Sequence, residues 1–283
     1  MSAPSLETGL GVRCVDLRKI YVGDATSTVG LDGVSLTVRA GESVALLGPS
    51  GSGKSTLLSI VGGLLRPTSG HVYIGADDVS VMTQRELLAL RGQRIGSMLQ
   101  NPAHNLLSYG TVEQNVRFAQ RSVRHFRRAR LPHPADLLRR LGLTDLSGRV
   151  VASMSGGEQQ RLSIAVAMAT APGLLLADEP TSRLDADNRG HVVDLLARIS
   201  AEFGTTVIAV THDEDVARAF GRTVTIVAGQ ADDSGQHREQ FIEVDERGAV
   251  TLPRDVLDGL PPGTRLRVTR RPSGVELTRE DEP

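Results

Sequence analysis

The 283-residue sequence contains one cysteine, no tryptophan and only 3% aromatic residues. A single thiol excludes an internal disulfide and a cysteine metal site, so Cys14 is expected to be a packed core residue. Uninterrupted apolar runs are short, as in Val44–Leu47, far below the roughly 20 residues that span a bilayer. Residues 1–5 lack the basic and apolar parts of a secretory signal. We therefore expect a chain that neither crosses a membrane nor is secreted.

Lysine is scarce, although basic residues as a class are not. Lys and Arg together number 32, of which only Lys19 and Lys54 are lysine, and Asp and Glu number 33. This near balance of charge gives no general attraction to nucleic acid. A lysine ammonium is a compact charge, whereas the arginine guanidinium is planar and forked. Lys54 is therefore expected to lie where the chemistry requires an ammonium.

The order of segments divides the chain into a tail, a large domain, a linker and a small unit. Residues 1–10 are predicted to be a loose tail. Residues 11–229 alternate short apolar runs with helical patterns, which predicts an α/β domain with helical crossovers. Residues 230–239 are polar and rich in turn formers, as in a linker. Residues 240–283 are predicted to form a small, strand-dominated unit.

Apolar patterning predicts the main strands and helices of the large domain. A continuous apolar run is typical of a strand buried on both faces. The predicted strands are Ser43–Leu47, Arg94–Leu99, Leu174–Asp178 and Thr206–Val210, and the predicted helices are Lys54–Leu65, Thr111–Arg130, Glu158–Thr170 and Asp187–Ala201.

A segment with the pattern G-x-x-x-x-G-K-[ST] follows the first of these strands. Its glycines let backbone N–H groups approach an anion, and the next helix adds a positive dipole end. Lys54 is expected to reach the β- and γ-phosphates, and Ser55 to offer its hydroxyl to Mg²⁺. The alternative is a glycine-rich turn without a ligand. The residues expected to bind nucleotide here are Gly48, Pro49, Ser50, Gly51, Ser52, Gly53, Lys54, Ser55 and Thr56.

Two carboxylates stand at the end of a predicted buried strand, in the sequence Leu174–Pro180. Asp178 is expected to hold Mg²⁺, directly or through water, and Glu179 to polarise an attacking water as general base. Ligands bind at the carboxyl ends of parallel strands. The alternative is an acidic turn that caps the strand.

A second helix start has the composition of an anion site. Ser155 and Glu158 form a capping-box pattern, which predicts that a helix begins there. Gly156 and Gly157 remove side chains from this terminus and leave its N–H groups free to meet a phosphate. One nucleotide needs only one phosphate loop, so the second terminus indicates a nucleotide held between two subunits. The alternative is an ordinary capped helix.

The Ser155–Gln159 segment closely resembles the signature motif of ATP-binding cassette (ABC) ATPases. The resemblance covers about residues 11–229, and the motifs follow in the family's order. It implies an α/β fold: a P-loop ABC ATPase domain with a helical subdomain that carries the signature.

Further residues take roles from the same resemblance. Tyr21 lies where an aromatic ring stacks on adenine, and Gln100 resembles the Q-loop glutamine that senses Mg²⁺ and faces the transporter. Asp185 belongs to a D-loop-like segment in which Arg183 replaces the usual small residue. His212 resembles the switch histidine that contacts the γ-phosphate. Without the resemblance, Tyr21 would be a half-buried strand residue, Gln100 a strand-end polar group and His212 a loop histidine.

The resemblance also implies a mechanism. Two such domains dimerise head to tail, so each ATP lies between Lys54 and Ser55 of one subunit and the signature of the other. ATP binding closes the dimer and hydrolysis opens it. The implied catalytic residues are Glu179, His212 and Gln100, the implied Mg²⁺ ligands are Ser55, Gln100 and Asp178, and the implied signature residues are Ser155, Gly156, Gly157, Glu158 and Gln159.

The implied partner is a separate integral-membrane permease, with the ATPase peripheral on the cytoplasmic face of the inner membrane. Three segments, Gly156–Ala165, Ala177–Thr181 and Val210–Asp213, look most like the lipoprotein-release and macrolide-export group. This family-level resemblance favours extrusion over uptake. Nucleic acid is not an expected partner. The alternatives are a soluble ABC ATPase that acts on DNA or ribosomes and a transcriptional regulator with an ATP-sensing cassette.

The C-terminal unit resembles an AbrB-like swapped-hairpin domain. Strands are predicted at Phe241–Val244, Ala249–Leu252, Arg265–Val268 and Val275–Leu277, with a short helix from Pro253 to Leu257. Units of this size usually interlock as dimers. Because residues 238–283 are net acidic, dimer reinforcement or a regulatory contact is favoured over DNA binding.

One basic stretch in the large domain has two interpretations. It is either a solvated helix face or a contact for anionic lipid headgroups or acidic permease loops. Its members are Arg117, Arg121, Arg124, Arg127, Arg128 and Arg130.

Overall fold

The computed structural model describes residues 9–22, 27–121, 123, 131–182, 186–232, 264, 266–271 and 274–279. The chain divides into two compact units, Met1–Gly235 and Gln236–Pro283. The strands are β1 (Val12–Val22), β2 (Ser27–Val38), β3 (Ser43–Leu47), β4 (Ser69–Ile74), β5 (Asp77–Asp78), β6 (Ile95–Met98), β7 (Leu174–Asp178), β8 (Thr206–Thr211), β9 (Arg222–Val227), β10 (Gln230–Asp232), β11 (Leu266–Arg271) and β12 (Gly274–Arg279). The α-helices are α1 (Lys54–Val61), α2 (Gln84–Arg94), α3 (Val112–Ala119), α4 (Pro134–Arg140), α5 (Gly156–Met168), α6 (Ala186–Phe203) and α7 (Glu214–Arg218), and single 3₁₀ turns occupy Pro102–His104, Thr144–Leu146 and Val151–Ser153.

The first unit contains two sheets. One has four strands in the order β2-β1-β4-β5, all paired antiparallel. The other has six strands in the order β10-β9-β3-β8-β7-β6, in which only β10 pairs antiparallel. Helices join the parallel strands, as the predicted α/β class requires.

The six-stranded sheet separates two apolar cores, because successive side chains of a strand point to opposite faces. Leu175 and Ala177 of β7 face a core shared with residues of α3 to α6. Leu174 and Leu176 face the other core, shared with α1, α2 and the antiparallel sheet. These four side chains are at most 3% exposed. Burial of each such leucine contributes about 1.5–3 kcal/mol, which holds the strand ends in place.

Several predicted elements differ in length from the observed ones. The helix after the glycine-rich loop ends at Val61 rather than Leu65, because Gly62 and Gly63 follow and Gly63 has φ +63°. The helix predicted from Thr111 to Arg130 is capped by Thr111 but ends at Ala119, and residues 124–130 lie outside the described ones. The signature helix begins two residues earlier than predicted, at Gly156.

Cys14 is buried as expected. Its side chain is 2% exposed, and burial raises the pKa of its thiol to about 12. It is therefore an unreactive part of the antiparallel-sheet core.

The described part of the second unit is a hairpin. β11 pairs antiparallel with β12 from Leu266↔Arg279 to Arg271↔Gly274, which accounts for the last two predicted strands. The strands predicted at 241–244 and 249–252 and the helix at 253–257 lie outside the described residues. So does most of the segment that resembles an AbrB-like unit.

A search of the described residues for a membrane span gives none, since no helix among them is both long and apolar enough.

Candidate active site

The carboxyl ends of four adjacent parallel strands meet at one edge of the six-stranded sheet. Gly48 follows β3, His212 follows β8 and Glu179 follows β7, while Gln100 comes two residues after β6. Ligands bind at such edges in α/β sheets. The phosphate loop, the acidic strand end and the histidine therefore share one location, and Gln100 lies at its outer side.

The phosphate loop adopts a backbone that requires glycine. Gly48 and Gly53 have φ of +155° and +102°. A Cβ at Gly53 would lie 2.4 Å from the carbonyl oxygen of Gly30, closer than any side chain tolerates. Gly53 also supplies no side-chain cap to α1. The first N–H groups of this helix are therefore presented toward the loop, where they suit an anion.

Lys54 places its ammonium inside the loop. Its Nζ donates to the carbonyl oxygens of Gly48 at 2.7 Å and Pro49 at 2.6 Å, and the residue is 6% exposed. Burial lowers the pKa of Lys54, and the carboxylates of Glu179 and Asp178 oppose that shift. A compact cation held between a glycine loop and two acids is suited to phosphate oxygens.

Ser55 and Asp178 form a paired oxygen site. The Ser55 hydroxyl donates to Oδ1 of Asp178 at 3.3 Å. Burial raises the pKa of Asp178, and the hydrogen bond from Ser55 partly offsets the shift. Among the described residues, no group of three or more His, Cys, Asp or Glu side chains forms a metal site. One hydroxyl with one carboxylate nevertheless fits Mg²⁺, which takes oxygen ligands and completes its shell with water and substrate phosphates.

Glu179 is held in an unusual backbone conformation beside His212. Its φ is +48°, a left-handed value that costs a non-glycine residue about 1–3 kcal/mol. Its N–H donates to the carbonyl of Val210 at 3.0 Å, which ties the turn to β8. Its Oε1 lies 2.8 Å from Nδ1 of His212. The carboxylate is 13% exposed and the imidazole 66%, so the histidine lies on the solvent side of the acid.

Tyr21 lies at the far end of β1 and reaches the helix that follows the phosphate loop. Its hydroxyl is 3.2 Å from Oγ1 of Thr56, and the Lys19 ammonium lies 5.4 Å from its ring centroid. A Cβ at Gly30 would meet the ring at 2.7 Å, so glycine makes room for it. The residue remains 43% exposed and offers an open aromatic face.

The signature segment begins α5 with the predicted capping box. The N–H of Ser155 donates to the Glu158 carboxylate at 2.7 Å, and this bond holds the pKa of Glu158 below its usual range. The N–H of Glu158 donates in turn to Oγ of Ser155 at 3.3 Å. Gly156 is exposed, and a Cβ built there meets no atom within 4 Å. No hydrogen bond between described residues joins this terminus to the phosphate loop of the same chain.

The structure thus brings together Lys54, Ser55, Asp178, Glu179 and His212. Within the described ranges, no hydrogen bond joins the signature terminus to these residues, and none is made by the Gln100 side chain. Asp185 and Arg183 lie outside the described residues.

Comparison with known protein families decides what this arrangement belongs to. The family model described as ABC transporter matches residues 31–182, a range that holds the phosphate loop, the capped start of α5 and the acidic end of β7. This chain belongs to the ABC transporter family. It is the ATP-binding subunit of an ABC transporter, an ATPase of the cassette type.

Individual relatives of the cassette have different transport roles. The lipoprotein-releasing system ATP-binding protein LolD 1 of Rhodopseudomonas palustris is 42% identical over 216 residues, 76% of this chain and 95% of that protein. The methionine import ATP-binding protein MetN of Caulobacter vibrioides is 40% identical over 213 residues, 75% of this chain but 63% of that protein. A dimeric post-hydrolysis state of the ATP-binding cassette MJ0796 bound to ADP and Pi matches with a TM-score of 0.67 and 33% identity, over 78% of this chain and 98% of that one.

Two polar contacts of the cassette escaped the sequence prediction. Gln160, 4% exposed, donates from Nε2 to the carbonyl of Pro180 at 2.5 Å. Asp213 caps α7 by accepting from the N–H groups of Asp215 and Val216 and accepts from Arg189 at 2.8 Å. An aspartate before Glu-Asp is a readable helix-cap signal, whereas a glutamine in the second turn of a helix carries none.

The basic stretch is in part neutralised. Arg117 donates to Oε1 of Glu113, one turn earlier on α3, from Nε at 2.8 Å and Nη2 at 2.6 Å. Arg121 is exposed beyond the helix end, and Arg124, Arg127, Arg128 and Arg130 lie outside the described residues.

Proposed function

We propose that this cassette hydrolyses Mg²⁺-ATP as a head-to-tail dimer and drives a separate integral-membrane permease of the extrusion type. The observation that carries the proposal is the division of the motifs. The loop, the acids and the histidine share one sheet edge, while the exposed α5 terminus has open space at Gly156, where an added Cβ meets no atom within 4 Å. A second subunit supplies the missing half of each nucleotide site.

The residues divide the chemical work. Lys54 and the N-terminus of α1 bind and neutralise the phosphates, and Tyr21 offers its ring to adenine. Ser55 and Asp178, with Gln100 at the outer edge, are the residues that would hold Mg²⁺. Bound there, the ion would withdraw charge from the β- and γ-phosphates.

Glu179 accepts a proton from the attacking water as general base, a role typically worth about 10²- to 10⁴-fold in rate. His212 orients that carboxylate through its 2.8 Å hydrogen bond and approaches the γ-phosphate from the solvent side. We assign Ser155, Gly156, Gly157, Glu158 and Gln159 to the partner's ATP and Asp185 to communication across the dimer.

The direction of transport is proposed from the extent of the match. The chain covers 95% of a lipoprotein-releasing relative but 63% of a methionine-import relative. The match thus extends over nearly the whole length of the lipoprotein-releasing relative, and on this basis we propose that the cassette belongs to the extrusion group. We also propose that it is peripheral on the cytoplasmic face of the inner membrane.

The C-terminal unit is proposed to reinforce the dimer, in keeping with its AbrB-like sequence and net acidic charge. The alternative to the proposed transporter function is a soluble cassette that has a DNA-linked regulatory role through this unit.

The test uses tagged full-length Glu179→Gln, which should bind ATP, stop turnover and persist as a dimer. Size-exclusion chromatography with light scattering follows dimer formation with and without Mg²⁺-ATP. Glu214→Gln, which changes an exposed carboxylate on α7, is the matched control and should turn over normally without trapping a dimer.

The same Glu179→Gln protein is then used with Mg²⁺-ATP to capture partners from detergent-solubilised native membranes. Mass spectrometry should find a multi-span protein in stoichiometric amount. Recovery of nucleic acid or soluble proteins alone rejects the proposed permease partner and favours the DNA-linked alternative.

A further inference from the structure

Gln160 connects two parts of the active site that belong to different motifs. It lies on α5, five residues after Ser155, and its Nε2 donates to the carbonyl of Pro180 at 2.5 Å. Pro180 directly follows Glu179. A single buried amide therefore joins the helix that begins with the signature to the turn that carries the general base.

This turn needs support from its surroundings. Glu179 has φ +48°, and a left-handed non-glycine residue persists only where neighbouring structure fixes it. On one side, β8 holds it through the 3.0 Å bond from the N–H of Glu179 to the carbonyl of Val210. The N–H of Ser182 closes the turn on the carbonyl of Glu179 at 3.2 Å. Gln160 supplies the attachment on the side of α5.

The attachment is buried, so it cannot be exchanged for water without cost. Gln160 is 4% exposed and Pro180 is buried. If α5 shifted away from the turn, a donor and an acceptor would both be left unpaired in the interior, which is strongly unfavourable. The helix and the turn therefore move together.

We propose that Gln160 is a positioning residue that transmits the placement of the α5 terminus to Glu179. The inference rests on the proposed head-to-tail dimer. In that dimer the α5 terminus meets the ATP on the partner's phosphate loop, whereas Glu179 acts on the ATP of its own loop. Gln160 thus couples occupancy of one nucleotide site to the geometry of the general base in the other.

The test removes the amide and keeps the volume, with Gln160→Met in the full chain. ATPase rate is measured against ATP concentration. A coupled dimer of two sites gives a Hill coefficient approaching about 2. In Gln160→Met we expect it to fall below the wild-type value, with kcat reduced on the order of tenfold or more, since 1 Å of misplacement costs about 100-fold. ATP affinity of the single chain should not change.

Gln120→Met is the matched control. Gln120 is 7% exposed, and its Nε2 donates to the carbonyls of Pro132 at 2.8 Å and Ala169 at 2.9 Å. Ala169 is the C-cap of α5. The control therefore removes a buried amide that contacts the opposite end of α5. In this variant the Hill coefficient should keep its wild-type value. A purely structural role of Gln160 would make both variants behave alike.

The outcomes separate this inference from the function on which it rests. Absence of an ATP-dependent Glu179→Gln dimer rejects the proposed dimer itself. With that dimer present, a wild-type Hill coefficient of about 1, or an unchanged one in Gln160→Met, overturns the role of Gln160 and leaves the ATPase assignment intact. Gln160→Leu, with Gln120→Leu as its control, answers the same question if the methionine variant does not fold.

Discussion

Oε1 of Glu179 and Nδ1 of His212 lie 2.8 Å apart, and the two residues come from the ends of neighbouring parallel strands. The bond fixes the direction of a carboxylate whose backbone is already held in a left-handed turn. The position of the Glu179 carboxylate, which we propose as the general base, therefore depends on β7 and β8 together.

His212→Asn should lower kcat by about 100-fold, because a carboxylate that loses its orienting partner drifts from the attacking water. Phosphate release at saturating ATP measures the effect. His71→Asn is a matched control, since Nδ1 of His71 lies 2.9 Å from Oδ2 of Asp78 in a similar pair remote from the sheet edge. Equal losses in the two variants would remove His212 from the mechanism.

Lys54→Ala should weaken ATP binding by roughly 10- to 100-fold or more, since a hydrogen bond to a charged group contributes about 1.5–3 kcal/mol. Titration with a fluorescent nucleotide analogue measures the affinity. Lys54→Arg should not restore it, because the planar guanidinium cannot replace an ammonium enclosed between Gly48 and Pro49. Wild-type affinity in Lys54→Ala would contradict the assignment of the loop.

Gly156→Ala should leave the isolated cassette intact and abolish its ATP-dependent dimerisation. Within the chain, the added methyl group meets no atom within 4 Å, and alanine is the better helix residue by about 0.5–1 kcal/mol. In the proposed dimer the same methyl group lies against a phosphate. The measurement introduces Gly156→Ala into Glu179→Gln and compares urea unfolding, nucleotide affinity and dimer fraction.

A dimer that still forms in the double variant would show that the α5 terminus faces no nucleotide. Gly92→Ala is the control, because it adds a methyl group on α2 that also meets no atom within 4 Å. It should leave the dimer fraction unchanged.

Asp178→Asn should raise stability toward urea at pH 7 while it lowers activity. Burial raises the pKa of Asp178, so the folded state binds this proton more tightly than the unfolded state does. The ionised carboxylate therefore costs stability above the folded pKa, and this cost disappears as pH falls below the unfolded value of about 3.9. Urea midpoints at pH 7 and near pH 3 measure the difference from wild type.

Asp213→Asn should change stability toward urea in the direction opposite to Asp178→Asn. Burial alone would raise the pKa of Asp213, but the N–H groups of Val216 and Asp215 and the Arg189 guanidinium lower it overall. Its ionised form therefore stabilises the fold above the unfolded pKa, and that contribution is lost as pH falls through the folded value. The asparagine variant should be less stable than wild type at pH 7. If both substitutions moved the urea midpoint at pH 7 in the same direction, the opposite pKa shifts of Asp178 and Asp213 would be contradicted.

The sequence pattern correctly located those parts of the site that lie in the glycine-rich loop and at the ends of strands. The apolar runs predicted β3 and β7 to the residue, and the glycine-rich pattern placed Lys54 at the start of a helix. Such features are local, so they can be read from neighbouring residues. Helix ends were less accurate: Gly62 and Gly63 end α1 four residues before the predicted Leu65.

Long-range contacts could not be predicted in this way. The bond from Gln160 to Pro180 joins residues 20 positions apart, and the polar residue that makes it lies inside a helix. The left-handed turn at Glu179 is likewise imposed by contacts across strands rather than by a glycine. Tertiary packing decides both, and neither leaves a periodic signal.

The enclosure of Lys54 has a practical consequence for chemical labelling. Lys19 and Lys54 are the only lysine side chains in the chain. Lys19 lies beside the ring of Tyr21, while Lys54 is shielded by its own loop. An amine-reactive reagent should therefore modify Lys19 in preference to Lys54, and the two lysine peptides in a mass spectrum report separately on the surroundings of Tyr21 and on the enclosure of the phosphate loop.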